Sequence, residues 1–451
     1  MDLGEIQRAS LGPYLWKKKI ATYHENDVLH GGDQSELLRP TSRHLYGDPM
    51  DWSGHFLVPG GRFLVSAMSS MTLSVWDLGV IGRSAAHPRL VAEVELVGGE
   101  DEGYDENEFG VSISDICVQK ISDDRLRIAV ITSPQILIAK VYEISPADED
   151  ADFKALGSFR LSALGIEAIW GLLIDGDRLL IGVEEFHVML WEYVTGRYII
   201  WKIGNLGNDP EISIVGNLIL HLSDNGITTW PIPALDALIP LTSSISAFDD
   251  LPTQAPADLR VVPFGCVLPS GCRISFLLPS TWYHTTHMPF VFDVIYGPFS
   301  SFEKDTTAHR YMISVGPVDP TQVKVTWLTS LTLVDKEKKL FTIDGTGSLE
   351  TSHLGAAVLR TYQSGNGSRR RPTEQHRTHI YSVISGPLAD RDTQRNSPSP
   401  MFGLAIAQLT PIYNQMPVSI SLCTSSGRAV ELVRHALPGS ARCDFNVTDY
   451  L

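Results

Sequence analysis

Cysteine and histidine side chains, the usual protein ligands of zinc, come close together at one point of the sequence. Cys266 and Cys272 are followed by His284 and His287 in the segment WYHTTH. Two cysteines and two histidines could hold a tetrahedral zinc ion. However, the cysteine spacing is wider than zinc sites usually have, and residues three apart on a strand point to opposite faces. We therefore expect core cysteines and loop histidines here, and no metal site.

Other residues that could bind a metal or a ligand also lack the sequence pattern of a functional site. His376 and His379 lie in a polar stretch, and the glycine-rich residues 344–350 follow no strand-to-helix transition, which favours a hairpin turn. The sequence contains no Gly-x-Ser-x-Gly, phosphate-binding loop, dinucleotide fingerprint or His-Glu-x-x-His motif. We predict that the protein is not an enzyme and has no catalytic residue, cofactor-binding residue, metal ligand or cofactor.

The charge of the chain restricts its partners. The 451 residues carry a formal net charge of −16, which repels phosphate backbones and anionic lipids, so we expect neither nucleic acid nor membrane as a partner. The acid is concentrated in residues 98–108 and 147–150. Such runs are usually solvated loops, and docking of a basic partner is the alternative.

The compartment follows from the cysteines and the N-terminus. Five cysteines, an odd number in a long chain, do not indicate a disulfide scaffold. The first twenty residues have no apolar core of the signal-peptide type, and no window approaches 18 unbroken apolar residues. We expect an intracellular protein, cytoplasmic or nuclear. Residues 368–372, SRRRP, could be a nuclear import signal or a solvated basic loop.

The elements that must position any site are short strands. From His55 onward, runs of four to eight residues rich in Val, Ile, Leu, Phe and Thr alternate with turn residues. This pattern predicts an all-β fold. Parallel strands would need long crossover connections, usually helices, so the sheets should be antiparallel.

One unit of three strands recurs along the chain. It begins in FLVPGGRFLVSAMSSMTLSVWDLG, where a turn glycine precedes a tryptophan near the end of the third strand. The glycine–tryptophan pairs are Gly61–Trp76 and Gly176–Trp191, fifteen residues apart, and Gly216–Trp230, fourteen apart. Residues 118–144 form a looser copy with Tyr142 in place of tryptophan, and residues 331–354 form one without the aromatic residue.

Such a unit cannot bury both faces of its sheet alone. Radial stacking of several four-stranded sheets buries them and leaves only short edges, as in a β-propeller. We predict that Trp76, Trp191 and Trp230 pack between adjacent sheets. Further third strands are expected at 290–296, at 347–349 and at either 429–433 or the terminal FNVTDYL, which gives seven blades, with six or eight as alternatives.

The propeller is predicted to span residues 46–451. Residues 1–45 form an N-terminal extension with a short helical pattern that Gly12-Pro13 breaks. Loop insertions are expected at 98–110, at 242–257 and at 363–400. The last of these surrounds a short strand and is the best candidate for disorder.

The unit resembles a WD repeat, because residues 75–78 read Val-Trp-Asp-Leu, although Trp191-Glu192 and Trp230-Pro231 are degenerate and the opening Gly-His is missing. More specifically, LVPGGRFLVSAMSSMTLSVWDLG resembles the first blade of propeller-bearing F-box proteins of mushroom-forming fungi, which often end in a strand like FNVTDYL. The resemblance covers about residues 40–451. It implies a propeller preceded by an F-box, and residues 1–50 contain no such module.

The resemblance implies a substrate-recognition part of a ubiquitin-ligase adaptor. The broader hypothesis is a monomeric scaffold that binds a protein partner through the loops of one propeller face, which is an analogy from fold. The alternatives are a propeller hydrolase or lactonase with a central metal or acid pair, and a truncated gene product without activity. If the F-box was present, it lies upstream of this sequence or has been lost.

Overall fold

The computed structural model describes residues 11–12, 14–16, 18–19, 42–48, 52–68, 71–81, 88–96, 112–133, 137–184, 187–203, 211–223, 226–240, 260–262, 272–277, 290–298, 306–315, 323–333, 341–342, 356–363, 375–385, 402–408, 417–423, 426–437 and 440–450. Nearly all of these residues are strands and tight turns. The all-β prediction is therefore confirmed.

Twenty-nine strands form in the described part of the chain. They are β1 (Ser42–Asp48), β2 (Trp52–Leu57), β3 (Phe63–Met68), β4 (Thr72–Asp77), β5 (Arg89–Glu95), β6 (Ser112–Lys120), β7 (Leu126–Ser133), β8 (Ile138–Ile144), β9 (Lys154–Arg160), β10 (Ile169–Asp175), β11 (Arg178–Val183), β12 (His187–Glu192), β13 (Arg197–Lys202), β14 (Glu211–Val215), β15 (Leu218–Ser223), β16 (Gly226–Pro231), β17 (Ile239–Pro240), β18 (Arg260–Val262), β19 (Cys272–Leu277), β20 (Phe290–Pro298), β21 (Thr306–Val315), β22 (Val323–Leu333), β23 (Phe341–Thr342), β24 (Ala356–Gln363), β25 (Gln375–Ser385), β26 (Phe402–Gln408), β27 (Pro417–Cys423), β28 (Arg428–Leu437) and β29 (Ser440–Asp449).

The strands pair into seven antiparallel sheets within the described residues. Sheet 1 contains β2–β5, sheet 2 contains β6–β9, sheet 3 contains β10–β13 with β17, and sheet 4 contains β14–β16 with β18. Sheet 5 contains β19–β22, sheet 6 contains β23–β26, and sheet 7 contains β27–β29 with β1. All but sheet 3 have four strands, as expected for blades, and the exact number of blades stays a prediction.

The sheets pack one after another around a ring. The first strands of neighbouring sheets contact each other from β2 to β6, β6 to β10 and β10 to β14, and β2 also contacts β27 of sheet 7. Further contacts join β18 to β22 and β20 to β23. The start of the chain is held in sheet 7, because β1 pairs with β29 from Ser42 opposite Asp449 to Asp48 opposite Cys443. Sheet 7 thus combines both ends of the propeller.

The repeated tryptophans lie where the repeat predicts. Trp191 is buried in a cluster that joins sheets 2 and 3, and Trp230 in a cluster that joins sheets 3 and 4. Trp76 is half-buried and packs on the cluster between sheets 7 and 1. These packing predictions are confirmed. The turn glycines Gly61, Gly176 and Gly216 have φ values of 72°, 56° and 60°, a region that glycine adopts at no steric cost.

Two predicted repeats are wrong. Residues 290–296 lie in β20, which is the second strand of sheet 5, and the third strand is β21. Residues 331–354 cannot be one unit, because Leu333 ends the last strand of sheet 5 and β23 opens sheet 6. Third strand β21 contains His309 and Arg310, so its apolar pattern is interrupted. In sheet 7 the terminal segment supplies the third strand, and residues 429–433 belong to the second.

The N-terminal part of the chain contributes one strand and one short helical segment to the described structure. Strand β1 begins at Ser42, before the expected start at residue 46. Gly12 and Tyr14, on either side of the expected break, are both helical. In this helical segment Trp16 is buried, its ring lies 6.1 Å from that of Tyr450, and the Lys19 amine donates to the Tyr450 carbonyl.

The other helices of the described chain are two 3-10 turns, Leu161–Leu164 and Leu235–Ala237. No helix in these ranges is long and apolar enough to cross a membrane. Of the predicted insertions, 98–110 and 242–257 lie outside the described residues. Within 363–400, residues 375–385 form β25, and disorder of the remainder stays a prediction.

Candidate functional site

One end of the ring carries the turns between the first and second strands of the sheets, and we call this end the turn face. Its described turns are residues 58–62, 121–125, 176–177, 216–217 and 426–427. Because neighbouring strands are antiparallel, the connections between third and fourth strands emerge at the same end. The loops of this face are therefore positioned by packed strands, an arrangement that commonly carries binding residues.

An arginine near the start of the second strand faces an acidic residue at the end of the third strand in several sheets. The pairs are Arg62–Asp77 at 2.8 Å, Arg127–Glu143 at 3.2 Å and Arg428–Asp449 at 2.5 Å. The acid of each pair directly follows the position of the repeated aromatic residue, or its counterpart Thr448 in sheet 7. The pairs thus form one repeated feature of the turn face.

Arg127 also connects sheet 2 to sheet 3. Its Nη1 donates to the Gly176 carbonyl at 2.8 Å, to Asp177 at 2.6 Å and to the Tyr193 hydroxyl at 2.8 Å. Burial opposes its charge, but the hydrogen bonds to Asp177 and Glu143 outweigh this and raise the pKa of Arg127. Burial also raises the pKa of Tyr193 to about 12. Arg127 is therefore a charged residue whose hydrogen bonds join sheet 2 to sheet 3.

Sheet 3 departs from the repeated pairing. Arg178 lies opposite Glu192 in the register of β11 and β12, yet the two side chains form no ion pair in the described structure. The Glu192 carboxylate turns to its own loop, where Oε2 accepts hydrogen bonds from the Thr195 amide at 2.8 Å and from the Thr195 hydroxyl. Glu192 is only 9% exposed. No described group donates to its other oxygen, Oε1.

A cleft opens beside this carboxylate. Its volume is about 330 Å³, and it lies at the turn face between sheet 3 and the segment that follows β16. The lining residues are Asp175, Gly176, Asp177, Arg178, Glu192, Pro233 and Leu238. Leu238 is buried and Pro233 is half-buried, so the cleft combines apolar surface with three carboxylates and one guanidinium.

Gln119 of sheet 2 contacts two residues that line the cleft, Gly176 and Asp175. The Gly176 amide donates to Gln119 Oε1 at 2.8 Å, and Gln119 Nε2 lies 3.5 Å from Asp175 Oδ1. The second contact is at the limit of hydrogen-bond length, so it constrains Asp175 only weakly. The Asp175 carboxylate is thus available at the rim of the cleft.

Exposed acidic residues also lie on the turn face of sheet 2. Asp148, Glu149 and Asp150, which belong to the acidic run 147–150, are exposed in the loop between β8 and β9. Asp123 is 99% exposed in the neighbouring turn, where it pairs with Lys120 at 2.6 Å. The other acidic run, residues 98–108, lies outside the described residues. The turn face of sheets 2 and 3 is therefore predominantly acidic.

Ionisable groups with shifted pKa values also lie elsewhere in the ring. His221 of sheet 4 is packed between the rings of Trp170 and Trp230, at centroid distances of 6.2 and 6.3 Å, and burial lowers its pKa to about 4. Asp115 lies at a bulge of β6, and burial raises its pKa to about 6. In the described ranges, no group of three or more His, Cys, Asp or Glu side chains is arranged to hold a metal ion.

The residues weighed as zinc ligands are not brought into a described site. Cys272 is the first residue of β19, whereas Cys266, His284 and His287 lie outside the described residues. His376 and His379 lie on β25, opposite Tyr362 and Leu359 of β24. The glycine-rich residues 344–350 are also outside the described ranges. The expectation of no metal site stays a prediction.

The cleft residues were not singled out from the sequence. The available signal is the acid that follows each aromatic residue, as in Trp76-Asp77, Tyr142-Glu143 and Trp191-Glu192, together with an arginine after the turn. This signal identifies a repeated ion pair. It does not reveal that the pair is broken in sheet 3, because that depends on the Thr195 side chain and the local turn.

Comparison with known proteins gives a match in structure only. No protein-family model matches the sequence, and no curated protein matches it. Among solved structures, the chain is similar to the WD40 domain of SCAP from fission yeast, with a TM-score of 0.41 and 10% sequence identity. That similarity covers 91% of this chain and 97% of the other.

Proposed function

We propose that the protein is a scaffold that binds another protein through the turn face of sheets 2 and 3. The observation that carries this proposal is the cleft beside Glu192, which holds a buried carboxylate with one oxygen lacking a hydrogen-bond donor. This oxygen, Oε1, is open to the cleft, because it is not among the buried side-chain atoms that lack a partner. A ligand from outside the described chain would supply the missing donor.

The surroundings of the cleft support a macromolecular ligand. Val194, in the turn next to Glu192, is 60% exposed, and Asp148, Glu149 and Asp150 extend the acidic surface onto sheet 2. Interfaces typically combine a small apolar centre with a polar rim. The turn face offers both over two adjacent sheets.

The strands beneath this surface are held together by packing and hydrogen bonds between the sheets, which favours binding with little rearrangement. One apolar cluster joins sheets 2 and 3, and a second joins sheets 3 and 4. Arg127 adds three hydrogen bonds across the first of these junctions. A surface on such a frame loses little conformational entropy when a partner binds.

A narrower version of the proposal is a substrate-recognition part of an F-box ubiquitin-ligase adaptor in the cell. Its support is the resemblance of the first repeat to fungal F-box propellers. Affinity purification of the full chain from a fungal extract tests it. Recovery of the cullin and its linker protein would support the adaptor, and recovery of a specific partner without them would contradict it.

The binding proposal is tested by comparing the partners of three forms of the tagged full chain. The first is the unaltered protein, and the second carries Asp148→Lys and Asp150→Lys on the turn face. The third carries Glu167→Lys, a change at an exposed residue of the opposite end of sheets 2 and 3. Quantitative mass spectrometry then measures which proteins co-purify with each form.

We expect a specific partner with the unaltered protein and with Glu167→Lys, and its loss with the turn-face variant. The physical reason is that two reversed charges repel a partner that is complementary to an acidic surface. Equal recovery with all three forms would contradict the proposal, as would the absence of any specific partner. Circular dichroism of the three forms verifies that each is folded.

A further inference from the structure

We infer that the cleft beside Glu192 accepts a lysine or arginine side chain of a partner protein. The inference rests on the proposed function and specifies the chemistry of the group that is recognised. Three observations support it: the unused hydrogen-bonding capacity of the cleft carboxylates, the apolar residues of the lining, and the volume of the cleft.

The three carboxylates of the cleft differ in the hydrogen bonds and ion pairs that they form within the protein. Asp177 is bound by Arg127 at 2.6 Å, so its charge is largely compensated. Asp175 has only the 3.5 Å contact with Gln119, and Glu192 Oε1 has no described donor. Two carboxylates therefore retain acceptor capacity that the described chain does not use.

The guanidinium of Arg178 does not supply the missing donors. Arg178 lines the same cleft and faces Glu192 across the strand pair, but no ion pair forms between them in the described ranges. With Asp177 compensated by Arg127, the lining leaves two carboxylates, Asp175 and Glu192, against the guanidinium of Arg178, so the balance is negative. A cationic group entering it would gain charge-assisted hydrogen bonds to Glu192 and Asp175.

The apolar lining fits the stem of a long basic side chain. Pro233 and Leu238 form the wall contributed by the segment after β16. Lysine and arginine carry three or four methylene groups that pack on apolar surface while the charged head contacts polar groups. The volume of about 330 Å³ holds such a side chain together with water.

Other occupants fit less well. An anionic side chain or a phosphate would meet Asp175 and Glu192 with only Arg178 to compensate. An apolar side chain would bury the Glu192 carboxylate further without supplying a donor, which is unfavourable. A basic side chain satisfies both the charge and the apolar wall.

The test measures peptide binding to the intact full chain. The probes are fluorescein-labelled nine-residue peptides of alternating glycine and serine, with arginine, lysine, citrulline or glutamate at the centre. Citrulline keeps the shape of arginine and removes its charge. We expect the arginine and lysine peptides to bind, and the citrulline and glutamate peptides to bind at least tenfold more weakly by fluorescence anisotropy.

The change Glu192→Gln should weaken binding of the arginine peptide about tenfold, because it removes the charge and keeps the size of the side chain. The matched control is Glu167→Gln, which makes the same change at an exposed residue of the opposite end and should leave binding unchanged. Equal binding of the arginine and citrulline peptides would overturn the inference, as would an equal effect of the two substitutions.

The result is separable from that of the proposed function. If the co-purified partner is lost with Asp148→Lys and Asp150→Lys but is retained at full affinity by Glu192→Gln, the turn face binds a protein and the cleft inference is wrong. If no turn-face change affects any partner, the proposed function fails, whatever the short peptides show.

Discussion

Arg428 and Asp449 form a buried, two-bond ion pair at the junction where the last sheet meets the first. The guanidinium donates to the two carboxylate oxygens at 2.5 and 2.9 Å, and each side chain is 4% exposed. Arg428 also donates to the carbonyls of Gly61 and Gly79 at 2.7 and 3.0 Å. One side chain therefore connects sheet 7 to two loops of sheet 1.

Removal of this arginine should destabilise the ring strongly. Arg428→Met leaves Asp449 buried without its cation, and breaking a buried pair in this way costs about 3–5 kcal/mol. Urea unfolding followed by tryptophan fluorescence measures the loss. The control is Arg62→Met, whose partner pair is partly exposed and should cost about 1 kcal/mol or less. Equal losses for the two variants would show that the junction has no special role.

Gly182 is required by the position of Trp170. A Cβ atom at residue 182 would lie 2.4 Å from the Trp170 indole ring, closer than any real contact. Gly182→Ala should therefore cost about 1–3 kcal/mol through overpacking. Gly54→Ala is the control, because its Cβ would meet only Ile116 at 3.6 Å. Replacing Trp170 by leucine in the Gly182→Ala background should recover part of the loss. A double variant that is no more stable than Gly182→Ala would contradict the steric explanation.

His221 should make the protein sensitive to mild acid. Its pKa falls from about 6.5 in the unfolded chain to about 4 in the folded protein, so the folded state binds fewer protons in between. Stability from this group is complete above pH 6.5 and is lost as the pH falls toward 4. Between pH 7.5 and pH 5 the loss is about 2 kcal/mol.

The matched variant is His221→Leu, which cannot titrate. Unfolding free energies at pH 7.5 and pH 5 should differ by about 2 kcal/mol less in the variant than in the unaltered protein. Comparison of the two differences removes the contribution of the other ionisable groups, including His55, whose pKa burial also lowers to about 4. Identical pH dependence in both proteins would mean that His221 is hydrated or paired in solution.

Trp191 and Trp327 should respond very differently to truncation. Trp191 is 1% exposed in the cluster between sheets 2 and 3, whereas Trp327 is 54% exposed on β22. Trp191→Ala should cost about 3–5 kcal/mol and Trp327→Ala less than about 1 kcal/mol. Thermal unfolding of both variants measures the contrast, and similar losses would be inconsistent with inter-sheet packing of Trp191.

The sequence predicts the sheets whose units keep a regular length. In sheets 1, 3 and 4 a turn glycine and a tryptophan recur at nearly constant spacing, and each tryptophan packs where the repeat places it. In sheet 5 the second and third strands are nine and ten residues long, and the third contains Arg310, which pairs with Asp293 at 2.7 Å. A buried ion pair replaces the apolar signal, so the third strand is assigned wrongly.

Strand β1 cannot be predicted from the local sequence pattern, for a different reason. The residues Ser42–Asp48 are mainly polar, and their strand conformation depends on pairing with β29, about four hundred residues later. The candidate site is hidden in a similar way. The sequence shows an acid after Trp191, but only the fold shows that Thr195, and not Arg178, bonds to it.

Hydrogen–deuterium exchange of the full chain, with and without its purified partner, tests the central claim most directly. We predict partner-induced protection in the loops of residues 121–125, 145–152, 176–178 and 192–197. Protection confined to residues 161–168, at the opposite end of sheets 2 and 3, would contradict binding through the turn face.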